Sequence, residues 1–465
     1  METGLNMNAT RDLARTAGAA GTHLHPFSTV AESGETPLVV QSAEGINVLT
    51  ADGREFIDGS AGLWCVNVGY SRPEIVDAVA RQMQRLPFFH SFNGVVNESA
   101  AQLSSRIIEH APEGIQRVFF GNSGSDANDT AVKMIWLFNN LRGKPEKKKI
   151  VARRRAYHGV TVAAASLTGL PSVHASFDLP LPMMRHVSPP DSFRHPERGA
   201  AFYAEELEQL ILSEGPQTVA AFFAEPVMGT GGVMLPPEGY FQAIREVCDR
   251  YDVLLVLDEI ICGFGRLGSW FGAQHFNVRP DLMTAAKGLT SSYLPMSAVL
   301  VGDAIWSTMQ HSLGERGVFA HGFTTSAHPV CAAAGLANLE IIEKEGLVQR
   351  AAEMGSVLLE TLRYTCGNHP LVGDVRGCGL MVGVEAVADR ATKAGFDAAL
   401  EVSARVRRAA IGQGLLVRAL SSDVLAFSPP FIVSPQEVQT IASRFLAALD
   451  DVASDLEAER VWKPL

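Results

Sequence analysis

The sequence predicts an α/β protein with a mostly parallel sheet flanked by helices, plus a smaller α+β part built from both termini. Three observations carry that reading. Apolar runs of strand length alternate with helical periodicity through the middle of the chain, two of those runs meet a charged residue at their ends, and both flanks change pattern. Val118–Phe120 is the first central strand; turn chemistry at Asn122–Asp126 hands over to helical spacing from Ala127 to Asn140. Ile150–Ala152, a loop through Tyr157, His158 and Gly159, and the strand Val219–Phe223 follow. A helix from about Gly239 to Arg250 precedes the apolar run that ends on Asp258; then come the run that ends on Lys287 and the strand Ser297–Val301. In such sheets, sites gather at the carboxyl ends of the strands. Asp258 and Lys287 both fall there.

The flanks read differently. Residues 35–60 alternate as short strands with turns at Ala51-Asp52-Gly53 and Asp58-Gly59. Beyond about residue 330 come long helices, a strand region at Gly379–Gly383 and a last helix from Pro435. The termini are expected to combine into a second unit packed on the central one.

Composition excludes several function classes. The chain has 465 residues, enough for two or three domains. Hydrophobic residues at 47% and charged residues at 19% give an ordinary globular protein rather than a disordered one. A formal net charge of −11 argues against a nucleic-acid partner. The one basic cluster, Lys147-Lys148-Lys149, reads as a solvated loop. Cys65, Cys248, Cys262, Cys331, Cys366 and Cys378 lack paired metal-ligand spacing and read as small core residues in a reducing compartment. The histidines form no metal motif, so no metal is expected. The segment to Thr22 is polar and alanine-rich, without a secretory apolar stretch, and Arg11 and Arg15 are too few to argue for import. No run approaches a membrane span, so the expectation is a cytoplasmic enzyme.

Two strand ends, one acidic and one a lysine, are what a pyridoxal phosphate enzyme requires. The lysine binds the cofactor's aldehyde as a Schiff base, and the acid keeps the pyridine nitrogen protonated. A lone lysine at a strand end is more often a solvated loop residue, so the pair needs support. Gly121–Asp126 supplies some: glycine allows close backbone approach, and the following helix offers free N–H groups, a phosphate cradle with the Ser125 hydroxyl as an extra donor. Its alternative is a serine-rich helix cap. Asp126 would repel a phosphate and is expected to cap the first helical turn, pointing away. Tyr157 stands where a ring can stack on a flat heterocycle, with a core tyrosine as its alternative.

Taken together, Ser123–Asp129, Tyr157–Gly159, Glu225-Pro226, Leu257–Ile260, Ala286–Gly288 and His321–Thr324 resemble, in order and context, the class III pyridoxal phosphate-dependent aminotransferases. The resemblance runs from about His23 to the C-terminal helix. His25–Phe27 and Ala61–Tyr70 are similar to the omega-amino acid and amine:pyruvate branch. The resemblance implies fold type I, with residues 1–74 and 326–465 forming the small domain and 75–325 the large cofactor-binding one. It also implies a homodimer or dimer of dimers with active sites shared across the interface.

Position by position, it gives Lys287 the Schiff base and Asp258 the pyridine nitrogen. Gly124 and Ser125 would bind the phosphate, Tyr157 and Ile260 would sandwich the ring, and Thr324 would reach the phosphate from the partner subunit. His158 would support Asp258 or the ring. An Asp–pyridinium pair about 3 Å apart at an effective dielectric near 20 gains on the order of 5 kcal/mol before desolvation. Half of that is about two pKa units, enough to keep the ring protonated.

On the substrate side, Arg418 aligns with the arginine this branch uses for carboxylates, and its planar fork suits a 2-oxo acid such as pyruvate. Trp64, Phe27 and Phe92 would form an aromatic wall, Phe92 from the neighbouring subunit. Family members acting on ornithine, acetylornithine or 4-aminobutyrate usually carry a glutamate that masks this arginine; here Thr230 stands in that place. A second departure is Thr325 and Ala327 in Thr324–His328, where the family more often has Tyr and Gly. The expected activity is transfer of an amino group from an omega-amino acid, diamine or amine to pyruvate by a ping-pong mechanism. An aminomutase, racemase or decarboxylase on the same fold is the enzymatic alternative, and a degenerate scaffold is the non-enzymatic one.

Overall fold

The computed structural model describes residues 23–28, 38–314 and 317–463. The expectations about the first 22 residues lie outside this range. Among the described residues there are fifteen strands: β1 (Val40–Glu44), β2 (Asn47–Thr50), β3 (Glu55–Asp58), β4 (Ile115–Gly121), β5 (Lys149–Arg153), β6 (Met184–Val187), β7 (Val219–Ala224), β8 (Leu254–Asp258), β9 (Leu282–Ala285), β10 (Ser297–Gly302), β11 (Val372–Gly377), β12 (Val382–Ala386), β13 (Leu415–Leu416), β14 (Arg418–Leu420) and β15 (Val424–Phe427).

A seven-stranded sheet in the order β4-β10-β9-β8-β7-β5-β6 forms the centre. β6, β5, β7, β8 and β9 pair in parallel, and β10 runs antiparallel to both β9 and β4. The exception has a local cause. The link from Ala285 to Ser297 contains only the 3-10 turn Lys287–Leu289 and no crossover helix, and a parallel return needs one.

β7, β8, β9 and β10 are buried along their whole length because helices cover both faces. Successive side chains serve opposite layers. Phe222 packs with Leu207, Ile211 and Ile244, whereas Phe223 packs with Ala131, Ile135 and Phe138 of the helix Gly124–Leu141.

β1, β2 and β3 form a sheet with β13, so N- and C-terminal segments share one layer. β11, β12, β15 and β14 form a third, antiparallel sheet.

One expectation is corrected. Lys147 is not a solvated loop residue: it is 4% exposed, and its ammonium donates to the carbonyls of Pro216, Val219, Tyr251 and Asp252 at 2.8–3.2 Å. Its side chain turns inward where four backbone carbonyls converge beside β5. That satisfaction cannot be read from a run of three lysines.

Candidate active site

The site stands at the carboxyl ends of β8 and β9, against the N-terminus of the helix Gly124–Leu141. Gly124, Ser125, Tyr157, His158, Asp258, Ile260 and Lys287 line one pocket. Seven residues expected to hold the cofactor are thus brought together from four separated segments of the chain.

Asp258, the last residue of β8, is buried. Its Oδ2 lies 2.7 Å from His158 Nδ1 and accepts from Asn128 Nδ2 at 2.9 Å, while Oδ1 accepts from the Ile260 amide at 3.1 Å. A carboxylate only accepts, so the His158 proton sits on Nδ1. Nε2 of that ring is buried without a hydrogen-bond partner among the described residues. The Asn128 amide cannot flip freely, because Thr284 Oγ1 donates to its Oδ1 at 2.8 Å and its Nδ2 also donates to the His158 carbonyl at 2.6 Å. Asp258 is therefore oriented by two neighbours, each fixed in turn.

Lys287 follows β9 and opens the short 3-10 turn with φ +42°, a backbone conformation uncommon for a residue with a side chain. Burial pushes its pKa below the ordinary lysine range, and the Arg418 cation acts in the same direction. The shift is in the direction that a nucleophile and proton carrier requires.

At the phosphate end, Ser123 caps the helix Gly124–Leu141: its Oγ accepts from the Asp126 amide, and Asp126 Oδ1 accepts from the Ser123 amide. Asp126 Oδ1 also accepts from Ser297 Oγ, so the carboxylate is held within the cap as expected. Ser125 Oγ accepts from the Val160 amide at 3.1 Å. A Cβ on Gly159 would lie 2.4 Å from Ser125 Oγ, and one on Gly124 would lie 2.8 Å from Ile260 Cδ1. Both glycines are needed for this close approach.

Two further polar residues carry the site without having been assigned a role from sequence. Glu225 is buried in the same pocket; its Oε1 accepts from the Tyr157 amide at 3.3 Å and its Oε2 from the Gly229 amide at 2.8 Å. Asn128 is the other. Its signal was a fully buried amide on the apolar face of a helix, beside Ala127 and Ala131.

Toward the substrate side, Trp64 is buried, with Lys287 Nζ 5.5 Å and Arg418 Cζ 4.8 Å from its ring centre. Arg418, at the start of β14, pairs with no carboxylate among the described residues. Thr230 sits in the loop next to Gly229, where a Cβ would meet Trp64 Cζ3 at 3.2 Å. Phe27 is 77% exposed and approaches the Tyr157 ring edge-on at 6.4 Å.

Phe92 and Thr324 do not join this pocket. Phe92 lies over Gly322 and lines a separate concavity with Phe119, Lys133 and His321. Thr324 is exposed, and its neighbour Thr325 donates to Asn122 Oδ1.

These residues fit pyridoxal phosphate. The glycine-walled helix N-terminus suits the phosphate, the buried Asp258 suits a protonated ring nitrogen, and Lys287, which lines the same pocket, suits the aldehyde.

Comparison with known proteins agrees. The family model described as Aminotransferase class-III matches residues 29–449. Over 450 residues the chain is 45% identical to the diaminobutyrate–2-oxoglutarate transaminase of Halomonas elongata, covering 95% of each protein. It is 39% identical over 438 residues to the putrescine–pyruvate aminotransferase of Pseudomonas aeruginosa, covering 93% of this chain and 95% of that protein. The solved omega transaminase of Pseudomonas jessenii in complex with PMP superposes with a TM-score of 0.92 at 43% identity, over 95% of this chain and 99% of that one. With Lys287 and Asp258 at adjacent strand ends, the chain belongs to the class III aminotransferases and is a pyridoxal phosphate-dependent transaminase that passes an amino group to a 2-oxo acid.

Proposed function

We propose that this transaminase takes its amino group from an amine, diamine or omega-amino acid and delivers it to pyruvate. The observation that carries the acceptor half is Arg418, a half-buried guanidinium with no carboxylate partner among the described residues, with Thr230 where a masking glutamate is usual. An unmasked arginine is free to take the single carboxylate of a small 2-oxo acid. The relatives differ here: one is named for 2-oxoglutarate and the other for pyruvate.

In this reading each residue has one task. When bound, pyridoxal phosphate supplies an electron sink for the charge left as the substrate's α proton departs. Asp258, fixed by His158 and Asn128, keeps the ring nitrogen protonated. Lys287 would hold the cofactor's aldehyde and, as a free amine, would take up and hand on the substrate's α proton at its Nζ. Gly124 and Ser125 hold the phosphate; Tyr157 and Ile260 flank the ring. Thr324 and Phe92 act in the partner's site, which makes the working unit a cytoplasmic homodimer. Residues 75–325 form the large domain, and 1–74 with 326–465 the small one.

The test is to mix the holoenzyme with an amine donor alone, then add acceptors one by one. The expected result is loss of the visible cofactor absorption without turnover, then its return with pyruvate and more slowly with 2-oxoglutarate. Continuous turnover without any 2-oxo acid would overturn the reading, and a preference for 2-oxoglutarate would overturn its acceptor half.

A further inference from the structure

The stretch Ala61–Tyr70 contains more than Trp64. Its backbone is unusual: Ala61, Gly62 and Trp64 have φ values of +44°, +65° and +59°, in the left-handed region that residues with side chains rarely adopt. Two of the three carry a Cβ, so the conformation is strained and something must hold it.

Asp58 does. This buried carboxylate, 1% exposed, makes no salt bridge among the described residues and is satisfied by four donors instead. Oδ1 accepts from the Ser60 amide and the Ser60 hydroxyl at 3.0 Å each. Oδ2 accepts from the Gly62 amide and the Tyr70 hydroxyl at 2.6 Å each. Tyr70 is thus the one donor from outside the turn, closing it from the far end. Its hydroxyl also backs Gly62, where a Cβ would lie 3.5 Å away. Burial and the neighbouring Asp58 push the Tyr70 pKa far up, so the phenol remains a donor across the working pH range.

The consequence falls on Trp64, whose ring lies beside both Lys287 and Arg418. Neither Asp58 nor Tyr70 lines the cofactor pocket. We propose that Asp58 and Tyr70 are positioning residues for substrate selectivity, holding the turn at 60–64 in its left-handed form so that the Trp64 ring stays beside Lys287 and Arg418. This rests on the carboxylate role proposed above for Arg418, with Trp64 as the aromatic wall beside it.

The test uses the holoenzyme with pyruvate and an amine lacking a carboxylate. Tyr70→Phe is expected to raise the KM for pyruvate roughly tenfold while kcat and cofactor content stay within about twofold, the pattern of lost binding rather than lost chemistry. Amides of residues 60–65 should exchange faster with solvent in the variant. Ala61→Gly added to Tyr70→Phe should recover much of the KM, because glycine adopts positive φ without strain. Ser60→Ala, which removes only one hydroxyl, should shift KM the same way by less, and serves if Tyr70→Phe does not fold.

Wild-type KM in both Tyr70→Phe and Ser60→Ala would overturn the proposal. So would a raised KM that Ala61→Gly leaves untouched, or a parallel fall in kcat and cofactor content. Arg418→Ala separates the two levels. If it does not affect pyruvate, the parent reading fails; if it does while the Tyr70 variants match wild type, only this inference fails.

Discussion

The floor of the site and its rim are built on opposite principles. On the floor, Asp258 is 3% exposed and His158 is 1% exposed, and each is fixed by hydrogen bonds that begin and end within one chain. On the rim, Phe27 is 77% exposed, Phe92 is 41% exposed, and Phe92 and Thr324, expected to serve the partner's site, lie outside this chain's own pocket. The floor inherits its rigidity from a sheet covered on both faces, so its chemistry is set once the sheet forms. The rim consists of loops, which single-chain packing does not fix.

The sharpest way to break this comparison is at the floor. Asp258→Asn keeps size and shape but turns an acceptor into a group with two donors. His158 and Asn128 both aim N–H groups at Oδ2, so the new amide either meets them donor to donor or turns its NH2 toward the ring nitrogen. Transamination is expected to slow by roughly 100-fold or more, equivalent to about 2.7 kcal/mol of transition-state stabilisation, with the fold retained. Single-turnover rates with an amine donor, alongside thermal unfolding, measure both. Near-normal turnover in a folded Asp258→Asn protein would remove the floor's claim to the chemistry.

A smaller effect is expected where floor and rim meet. Arg418→Ala should weaken the pyruvate half-reaction by about 2–4 kcal/mol, roughly 30- to 1000-fold, the usual range for truncating a buried charge partner. The half-reaction of an amine without a carboxylate should change much less. Equal loss in both halves would assign Arg418 to the floor instead, as a charge that tunes Lys287.

The same division explains what the sequence made legible. Asp258 and Lys287 stand out as a pair because buried strands are continuous apolar runs; either charge alone at a strand end would read as a solvated loop residue. The Gly124–Asp126 turn is legible from cap chemistry, and the cap formed by Ser123 and Asp126 matches it. Asn128 and Glu225 were not read as site residues, since each depends on a partner from a different segment: Thr284 for the first, the Tyr157 and Gly229 amides for the second. Lys147 was misread for the same reason. Its four carbonyl partners come from two distant turns, around Pro216–Val219 and Tyr251-Asp252, that only the fold brings together. Local patterns report burial and turns; they do not report which distant atom satisfies a buried group.

The smallest effect is the one that separates floor from rim most cleanly. If Thr324 contacts the phosphate in the partner's site, Thr324→Ala removes one hydrogen bond to a charged group, about 1.5–3 kcal/mol, and should weaken pyridoxal phosphate binding roughly 10- to 100-fold. That loss alone does not locate the residue, because any damage near the phosphate would do the same. Mixed dimers do. A Thr324→Ala subunit paired with a Lys287→Ala subunit creates one site with both wild-type residues and one site with neither, provided Thr324 acts across the interface. Such a dimer should regain half the wild-type turnover with wild-type cofactor affinity. If Thr324 served its own chain, each site would instead carry one defect, and the mixture would show only the weakened affinity. Half-activity at wild-type affinity therefore assigns the rim to the partner, and weakened affinity in every active site assigns it to the chain that bears it.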